Sequence, residues 1–162
     1  MGLNEAFLGL GSNLGDPVAN IKTAIRLMRR YSSFLEVSGF YRTTPQGFRD
    51  QPDFVNAACR LWTDLDSFQL LEAVLRTEQT VGRRRTFINA PRILDIDILV
   101  YGNQVLQGPP LTLPHPRMHL RAFVLRPLMD IAPSLVHPVT GSTIRLMLQG
   151  LSEGGHLISP VA

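Results

Sequence analysis

The stretch "RILDIDILVYG" (residues 92–102) decides the fold of this chain, because its apolar and β-branched residues predict a strand that carries two acids. Alternate side chains of a strand lie on the same face of the sheet. One row of this strand is wholly apolar and comprises Leu94, Ile96, Ile98 and Val100. The opposite row contains Asp95 and Asp97, and a shift of one residue would bury both carboxylates. The pattern therefore predicts which face of the sheet is open to solvent.

The chain before this strand alternates strand and helix patterns. "EAFLGLGSN" predicts a strand at about residues 5–10, and "SFLEVSGFYRT" and "DFVNAACRLW" predict a second and a third. Asp16 and Pro17 begin a helix that runs to about residue 31. Its apolar face comprises Val18, Ile21, Ile25 and Met28. Asp66, with Gln69 three residues on, caps a second helix that Gly82 closes. Its buried face is predicted to comprise Leu70, Leu71, Val74 and Leu75.

After the acid-bearing strand the sequence predicts a turn at residues 102–103, a short strand near Val105, a helix over residues 120–131 and a last short helix from about residue 142. The order β-α-β-β-α-β is typical of a ferredoxin-like α+β sandwich, here with additional flanking helices. No repeat, low-complexity tract or linker-like change of composition interrupts the chain, so we expect one domain over residues 1–162.

The composition excludes several classes of protein. The chain has 162 residues, 44% of them hydrophobic, and no segment approaches the roughly 18 apolar residues of a membrane span. No basic region precedes an apolar run at the start, so we expect no signal peptide, a cytoplasmic location and no membrane partner. The single cysteine, Cys59, excludes an internal disulfide and a cysteine-based metal cluster, and we expect it to fill the core. No apolar stripe remains once the predicted elements are packed, so we expect a monomer.

The positive residues are unusual in kind, since Lys22 is the only lysine among 16 positive residues. Four arginines fall within ten residues that contain no acid, namely Arg83, Arg84, Arg85 and Arg92. The planar guanidinium makes bidentate contacts with phosphate or carboxylate. This cluster favours an anionic ligand, and a solvated surface is the alternative interpretation.

The acid pair predicts a metal site next to this cluster. Carboxylates two residues apart on a strand are spaced by roughly 6.5 to 7 Å and can lean onto one or two metal ions. Mg²⁺ bridges phosphates and guanidiniums bind the remaining phosphate oxygens. The alternative is that Asp95 and Asp97 face solvent or form salt bridges with the neighbouring arginines. "GLGSNLGD" lacks the Lys-Ser/Thr ending of a phosphate-binding loop, and we interpret it as a strand-to-helix turn.

Several long motifs, in order, carry a resemblance to a known family. "GRRRTFINAPRILDIDILVYG", preceded by "FYRTTPQGFRDQPDFVNA" and followed by "LTLPHPRMHLRAFVLRPLMDIAP", resembles the 6-hydroxymethyl-7,8-dihydropterin pyrophosphokinases. The resemblance covers nearly the whole chain, from "LGLGSNLGD" to "HPVTGSTI". It implies that pyrophosphate is transferred from ATP, as co-substrate, to the pterin hydroxymethyl group, giving AMP and the pterin diphosphate in folate biosynthesis. It also implies two Mg²⁺ ions.

The resemblance implies roles for individual residues. Metal binding is implied for Asp95 and Asp97, which count as catalytic together with Arg83 and Arg92. The implied ATP-binding residues are Glu78, Arg83, Arg85, Arg92, Ile98, Thr112, His115 and Arg121. The implied pterin-binding residues are Thr43, Thr44, Gln46, Phe54, Asn56, Asp95 and Phe123, of which the two aromatics would sandwich the pterin ring. The general base stays open.

Some features leave alternatives. Core packing would explain either Phe54 or Phe123 alone, and His115 between prolines would also suit a turn. Ile88 stands where the family usually carries a basic residue and Leu120 where many members have Glu, so we expect weaker phosphate binding but intact chemistry. A basic ferredoxin-like domain would suit RNA, but the acid pair would repel phosphate and the clustered aromatics of an RNA-binding strand are missing, so we expect no nucleic acid partner. A relative that binds the same ligands without catalysis is the other alternative.

Overall fold

A computed structural model describes residues 2–45, 50–82, 91–151 and 158–161. Within this part the strands are β1 Asn4–Ser12, β2 Phe34–Val37, β3 Tyr41–Thr43, β4 Phe54–Thr63, β5 Asp95–Tyr101 and β6 Ile158–Pro160. The α-helices are α1 Pro17–Met28, α2 Ser67–Val81, α3 Ala122–Ile131 and α4 Ile144–Gln149. Short 3₁₀ helices, Arg29–Tyr31 and Met118–Leu120, follow α1 and precede α3. None of the helices described is long and apolar enough to cross a membrane.

One antiparallel sheet contains these strands in the order β5-β1-β4-β3-β6, and β2 also pairs with β4. The second predicted strand is therefore two separate strands, β2 and β3, which both pair with β4. They separate at Gly39, whose N–H donates to Oδ2 of Asp130 at 3.0 Å instead of to a neighbouring strand. The strand β6, which has three residues, ends in proline and pairs with β3, was not predicted from the sequence. A strand of three residues has almost no pattern of its own.

Helices cover both faces of the sheet. On one face, α1 and α2 pack on the apolar row of β5 and on Ala6, Leu8 and Leu10 of β1. On the other face, α3 and α4 pack on Phe7 and Leu99. The structure is thus a mixed domain of helices and an antiparallel sheet.

A β-bulge in β5 corrects one prediction. Phe7 pairs with Val100 and Leu8 pairs with Ile98, so Leu99 has no partner of its own on β1. The extra residue reverses the alternation of faces. Val100 therefore packs with Leu99 in the α3/α4 core, and its assignment to the row of Ile96 and Ile98 was wrong.

The helix caps confirm the predicted starts. Asp16 accepts from Ala19 N at α1, and Asp66 forms a capping box with Gln69 at α2. Gly82 ends α2 in a left-handed conformation (φ 110°) that favours glycine. Two smaller predictions were wrong. Leu75 is 42% exposed, and the segment near Val105 forms an isolated bridge between Leu106 and Leu113 rather than a strand.

The outer edge of β5 is capped by groups from elsewhere in the chain. Glu78 is buried near the end of α2, and its Oε2 accepts from Ile96 N at 2.7 Å. The N–H of His115 donates to Leu99 O at 2.8 Å. These contacts satisfy backbone groups that an edge strand leaves without a partner strand.

Candidate active site

Glycines in β1 form the floor of the site. Phe7, Gly9 and Gly11 alternate with the buried row Ala6, Leu8 and Leu10 and face the α3/α4 side. Gly9 pairs with Asp97 on β5 and with Ala58 on β4, while Gly11 pairs with Asp95 and Asn56. Because neither glycine has a side chain, the sheet keeps an open trough between the acids of β5 and the amide of β4. Residues at the start of α3 also line this trough.

This trough is a cleft that opens to solvent. Its lining comes from β1, β3, β4 and β5, from residues beside β3 and β5, and from the start of α3. The lining residues are Gly9, Leu10, Gly11, Thr43, Thr44, Phe54, Asn56, Ala57, Arg92, Asp95, Asp97, Arg121, Phe123 and Val124. Nine of them were candidates from the sequence, drawn from segments up to 80 residues apart (Thr43 to Phe123). A concave site with a mixed apolar and polar lining suits a small molecule.

Asp95 and Asp97 lie on the cleft face of β5, as the alternation predicted. Nη1 of Arg92 lies 2.7 Å from Oδ2 of Asp95, in a pair whose side chains are 18% and 17% exposed. The Asp97 side chain is 38% exposed. Nε of Arg92 is buried and has no hydrogen-bond partner within the described ranges. The guanidinium thus offsets part of the repulsion between the two acids.

His115 approaches the acids from the segment that caps β5. Its Nδ1 accepts from Arg117 N at 3.1 Å, so the ring proton resides on Nε2, which lies 4.0 Å from Oδ2 of Asp97. Burial, together with the charge of Arg121, lowers the pKa of His115 to about 4. The imidazole is therefore neutral near pH 7 and offers an N–H donor. The 4.0 Å contact is too long for a hydrogen bond and is not an ion pair in that state.

The start of α3 contributes a cation and an aromatic ring. The guanidinium of Arg121 lies over the ring of Phe123, 5.5 Å from its centroid. Burial lowers the pKa of Arg121, and Asp97 opposes this change. Phe54, at the first position of β4, lines the same cleft and is half-buried like Phe123. Core packing alone therefore does not explain the positions of Phe54 and Phe123, because both rings line the cleft.

A buried amide forms the wall beside Phe54. Asn56 is 8% exposed, and its Nδ2 donates to Oγ1 of Thr43 at 2.7 Å. A Cβ added to Gly11 would lie 2.9 Å from Oδ1 of Asn56. Because Gly11 has no side chain, Oδ1 of Asn56 can occupy this space. An oriented amide of this kind selects a ligand edge that donates a hydrogen bond.

Three nucleotide-site candidates lie elsewhere. Glu78 is 2% exposed beneath β5, and bonding to Ile96 N gives it a structural place rather than a surface for a nucleotide. The Ile98 side chain is buried in the α1/α2 core, on the face opposite the cleft. Thr112 is half-buried in the segment before His115 and does not line the cleft. Their local patterns could not reveal this, because burial depends on the packing of distant segments.

Several candidates fall outside the described residues, and their predicted roles stay predictions. They are Gln46, Arg83, Arg84, Arg85 and Ile88.

The donor set fits Mg²⁺ in one specific way. No group of three or more His, Cys, Asp or Glu side chains in the described ranges could hold a metal by itself. The cleft does hold a carboxylate pair on rigid strand backbone. Mg²⁺ commonly takes one or two carboxylates and completes its shell with water and substrate phosphates. Asp95 and Asp97 therefore suit a cation that arrives with a phosphorylated substrate.

Sequence reasoning missed Gly9, Gly11, Leu10, Ala57 and Val124 as cleft residues. A signal was present in "FLGLGS". The two positions that share a strand face with Phe7, namely Gly9 and Gly11, are both glycine. Glycine within a strand often marks a close approach of a ligand. The interpretation of "GLGSNLGD" as only a turn overlooked this pattern.

The chain is similar to known pyrophosphokinases. A model of the family "7,8-dihydro-6-hydroxymethylpterin-pyrophosphokinase (HPPK)" matches residues 7–133. The 2-amino-4-hydroxy-6-hydroxymethyldihydropteridine pyrophosphokinase of Haemophilus influenzae is 42% identical over 135 residues, which are 82% of this chain and 84% of that protein. The folic acid synthesis protein FOL1 of Dictyostelium discoideum is 39% identical over 156 residues. The match covers 96% of this chain but only 24% of FOL1, so the chain spans about a quarter of that relative's length.

The fold also resembles that of solved structures. Wild-type HPPK-DHPS of Plasmodium falciparum with STZ-DHP superposes with a TM-score of 0.75 at 17% identity, over 91% of this chain and 43% of that one. Identity at that level supports the fold alone. The family match and the relatives at 36% to 42% identity show that the chain belongs to the 7,8-dihydro-6-hydroxymethylpterin-pyrophosphokinase family.

Proposed function

We propose that this chain transfers a pyrophosphoryl group from ATP to the hydroxymethyl group of 6-hydroxymethyl-7,8-dihydropterin, giving AMP and the pterin diphosphate in folate biosynthesis. Family membership and the name of the H. influenzae relative support the reaction. The observation that carries the proposal is the cleft itself. It unites an acid pair, two arginines, two aromatic rings and a buried amide within one volume.

The phosphate end of the cleft would hold the triphosphate of ATP. Arg92 and Arg121 line it, and charge-assisted bonds from guanidinium to phosphate are among the strong hydrogen bonds of proteins. His115, neutral and protonated on Nε2, would donate one further bond without adding charge. Arg83, Arg85 and Thr112 are proposed contacts from the family resemblance alone.

We propose two Mg²⁺ ions, held by Asp95 and Asp97. When bound, Mg²⁺ would neutralise part of the phosphate charge. The protein's own contribution is rigidity, because paired strands hold the two carboxylates on the floor of the cleft. A rigid support suits an ion that demands near-ideal geometry.

The pterin end would lie between Phe54 and Phe123. Stacking on aromatic rings contributes about 0.5 to 1.5 kcal/mol beyond area burial. Asn56, oriented by Thr43, would then bind the polar edge of the heterocycle. Thr44 lines the same wall, and Gln46 is proposed from the resemblance only.

Positioning would carry most of the rate. The pterin hydroxyl must approach the β-phosphorus in line, while charge develops on phosphate oxygens beside Arg92 and Arg121. Among the described residues that line the cleft, Asp95 and Asp97 are the only carboxylates that could accept the hydroxyl proton.

Four finer assignments accompany this function. The strand order β5-β1-β4, with β2 and β3 beyond β4 and with α1 and α2 on one face, supports a ferredoxin-like topology with α3 and α4 as flanking helices. A single domain, a monomeric state and a cytoplasmic location stay predictions from the sequence.

One assay tests the function. Purified protein is incubated with ATP, Mg²⁺ and the pterin alcohol, and nucleotides are separated by chromatography. We expect AMP and pterin diphosphate in equal amounts, and no AMP when the pterin is omitted. Tight binding of both substrates without AMP would indicate a non-catalytic relative and would overturn the proposal, as would release of ADP as the main product.

A further inference from the structure

A buried amide lies just outside the cleft and bonds to both of its sides. Asn13, directly after β1, is 2% exposed. Its Nδ2 donates to Oε1 of Gln51 at 2.8 Å and to Pro52 O at 2.9 Å. Its Oδ1 accepts from Arg92 N at 2.8 Å. Both amide hydrogens and the amide oxygen are therefore used, by two segments that are about 40 residues apart in the chain.

The backbone strengthens the link to Arg92. The N–H groups of Asn13 and Leu14 donate to Arg92 O at 2.9 and 3.2 Å. Both main-chain polar groups of Arg92 are thus held by the turn after β1. The Arg92 side chain then reaches Oδ2 of Asp95 at 2.7 Å. A shift at Asn13 would move the point from which the guanidinium enters the cleft.

The other partners of Asn13, Gln51 and Pro52, lie in the segment just before Phe54, which lines the cleft. Pro52 precedes Phe54 by two residues, and Phe54 begins β4. The Asn13 side chain therefore fixes the segment before Phe54 relative to the segment that carries Arg92.

We propose that Asn13 is a positioning residue that sets the distance between the phosphate end of the cleft, at Arg92, and the aromatic end, at Phe54. This rests on the proposed function, since the two ends are those assigned to ATP and to the pterin. Its effect on turnover arises because reacting groups must be held in near-attack geometry, and a displacement of about 1 Å costs on the order of 10²-fold in rate.

The competing account is that Asn13 only stabilises the turn between β1 and α1. Asn20, in the first turn of α1, offers a matched control on the same connection. Its Nδ2 donates to Oγ of Ser12 at 3.2 Å and to Leu14 O at 2.8 Å. Those bonds join the start of α1 to Ser12 and Leu14 and reach neither Pro52 nor Arg92.

The test compares Asn13→Ala, Gln51→Ala, their double variant and Asn20→Ala. For each, kcat and KM are measured in the AMP assay, affinities for the pterin and for a non-hydrolysable ATP analogue by calorimetry, and stability by denaturation. We expect Asn13→Ala to lower kcat by about 10- to 100-fold. We expect Asn20→Ala to stay within about twofold of the wild-type kcat at a comparable loss of stability, because it moves neither end of the cleft.

The double variant tests the link itself. Gln51→Ala removes one partner of Asn13 and should lower kcat modestly, by about two- to fivefold, and the double variant should be no worse than Asn13→Ala because both changes break the same link. Equal kcat losses for Asn13→Ala and Asn20→Ala, or additive losses in the double variant, would overturn the proposal. If Asn13→Ala does not fold, Gln51→Ala tests the proposal alone. An unchanged kcat together with an unchanged pterin affinity in Gln51→Ala would then overturn the proposal.

Calorimetry separates this proposal from the proposed function. If the wild-type chain made no AMP, the function would fail at once, before any variant was compared. The positioning role would still predict that Asn13→Ala weakens both the nucleotide analogue and the pterin while Asn20→Ala weakens neither. Unchanged affinities in a folded Asn13→Ala would then overturn the positioning role by itself.

Discussion

The side-chain amide of Asn56 donates a hydrogen bond of 2.7 Å to the hydroxyl of Thr43, and both residues are buried on the wall of one cleft. The bond fixes the orientation of the amide, so that its oxygen is the group left beside Gly11. A ligand edge would thus meet an amide that has already lost its freedom to rotate. Preorganisation of this kind lowers the cost of binding.

Breaking this bond should weaken pterin binding selectively. Thr43→Val keeps the shape of the side chain but leaves Nδ2 of Asn56 without its acceptor, and an unpaired buried donor costs about 1 to 3 kcal/mol. Thr43→Val should therefore raise the pterin dissociation constant, and Asn56→Ala should raise it by at least as much as Thr43→Val does. Calorimetry should find nucleotide binding without pterin unchanged in both variants. Thr63→Val is the control, since Thr63 is equally buried but bonds to Tyr31 O, away from the cleft. Equal loss of both ligands would indicate a structural role for Asn56.

Two glycines of β1 form a matched pair for a steric test. A Cβ at Gly11 would lie 2.9 Å from Oδ1 of Asn56, whereas a Cβ at Gly9 would meet the Leu99 side chain at an ordinary 3.6 Å. Gly11→Ala should displace the amide and lower pterin affinity by about tenfold or more, since overpacking typically costs 1 to 3 kcal/mol. Gly9→Ala should have the smaller effect. A pterin affinity that falls more in Gly9→Ala would contradict this account of the wall.

Loss of either acid should nearly abolish turnover. Asp95→Ala and Asp97→Ala each remove a proposed metal ligand and leave phosphate charge uncompensated, so we expect kcat to fall by at least about 10³-fold at saturating Mg²⁺. Circular dichroism should show an intact fold, because both side chains line the cleft rather than the core. Asp64→Ala, an exposed acid in the turn before α2, is the control and should keep full activity. More than roughly a tenth of wild-type turnover in Asp97→Ala would make the metal assignment wrong.

The single thiol should be inert in the native protein. Burial raises the pKa of Cys59 from 9.0 to about 12, so the thiol stays protonated well above neutral pH and the reactive thiolate is rare at pH 8. We expect a disulfide reagent such as Ellman's to release no colour at pH 8 until denaturant unfolds the chain. Rapid reaction of the native protein would place Cys59 outside the core and contradict the packing of β4.

A carboxylate of α3 should stabilise the connection between β2 and β3. Oδ2 of Asp130 accepts from Gly39 N at 3.0 Å and from the hydroxyl of Tyr41 at 2.8 Å. We expect Asp130→Ala to lower the free energy of unfolding by about 1 to 3 kcal/mol, because it removes a charged acceptor from two donors. Tyr41→Phe should cost less, and chemical denaturation of the double variant should show non-additive losses. Strictly additive losses would mean that the contact contributes nothing to stability.

The sequence by itself determined most of the strands, the starts of α1 and α2 and the open face of β5. Alternation along residues 94–98 was sufficient to place Asp95 and Asp97 on the open face, because the period of a strand is a local property. The caps at Asp16 and Asp66 were equally local, since each bond spans three residues. Long motifs named the family, which the family match confirmed.

Only the tertiary structure decided how these parts meet. The bulge at Leu99 depends on the register between β5 and β1, and it moved Val100 to the other face. The burial of Glu78 against Ile96 depends on where α2 lies beneath the sheet. The link from Asn13 to Arg92 joins residues 79 apart. Local propensity acts over a few neighbours, whereas the partners in these contacts are set by the packing of the whole chain, so no local pattern could predict them.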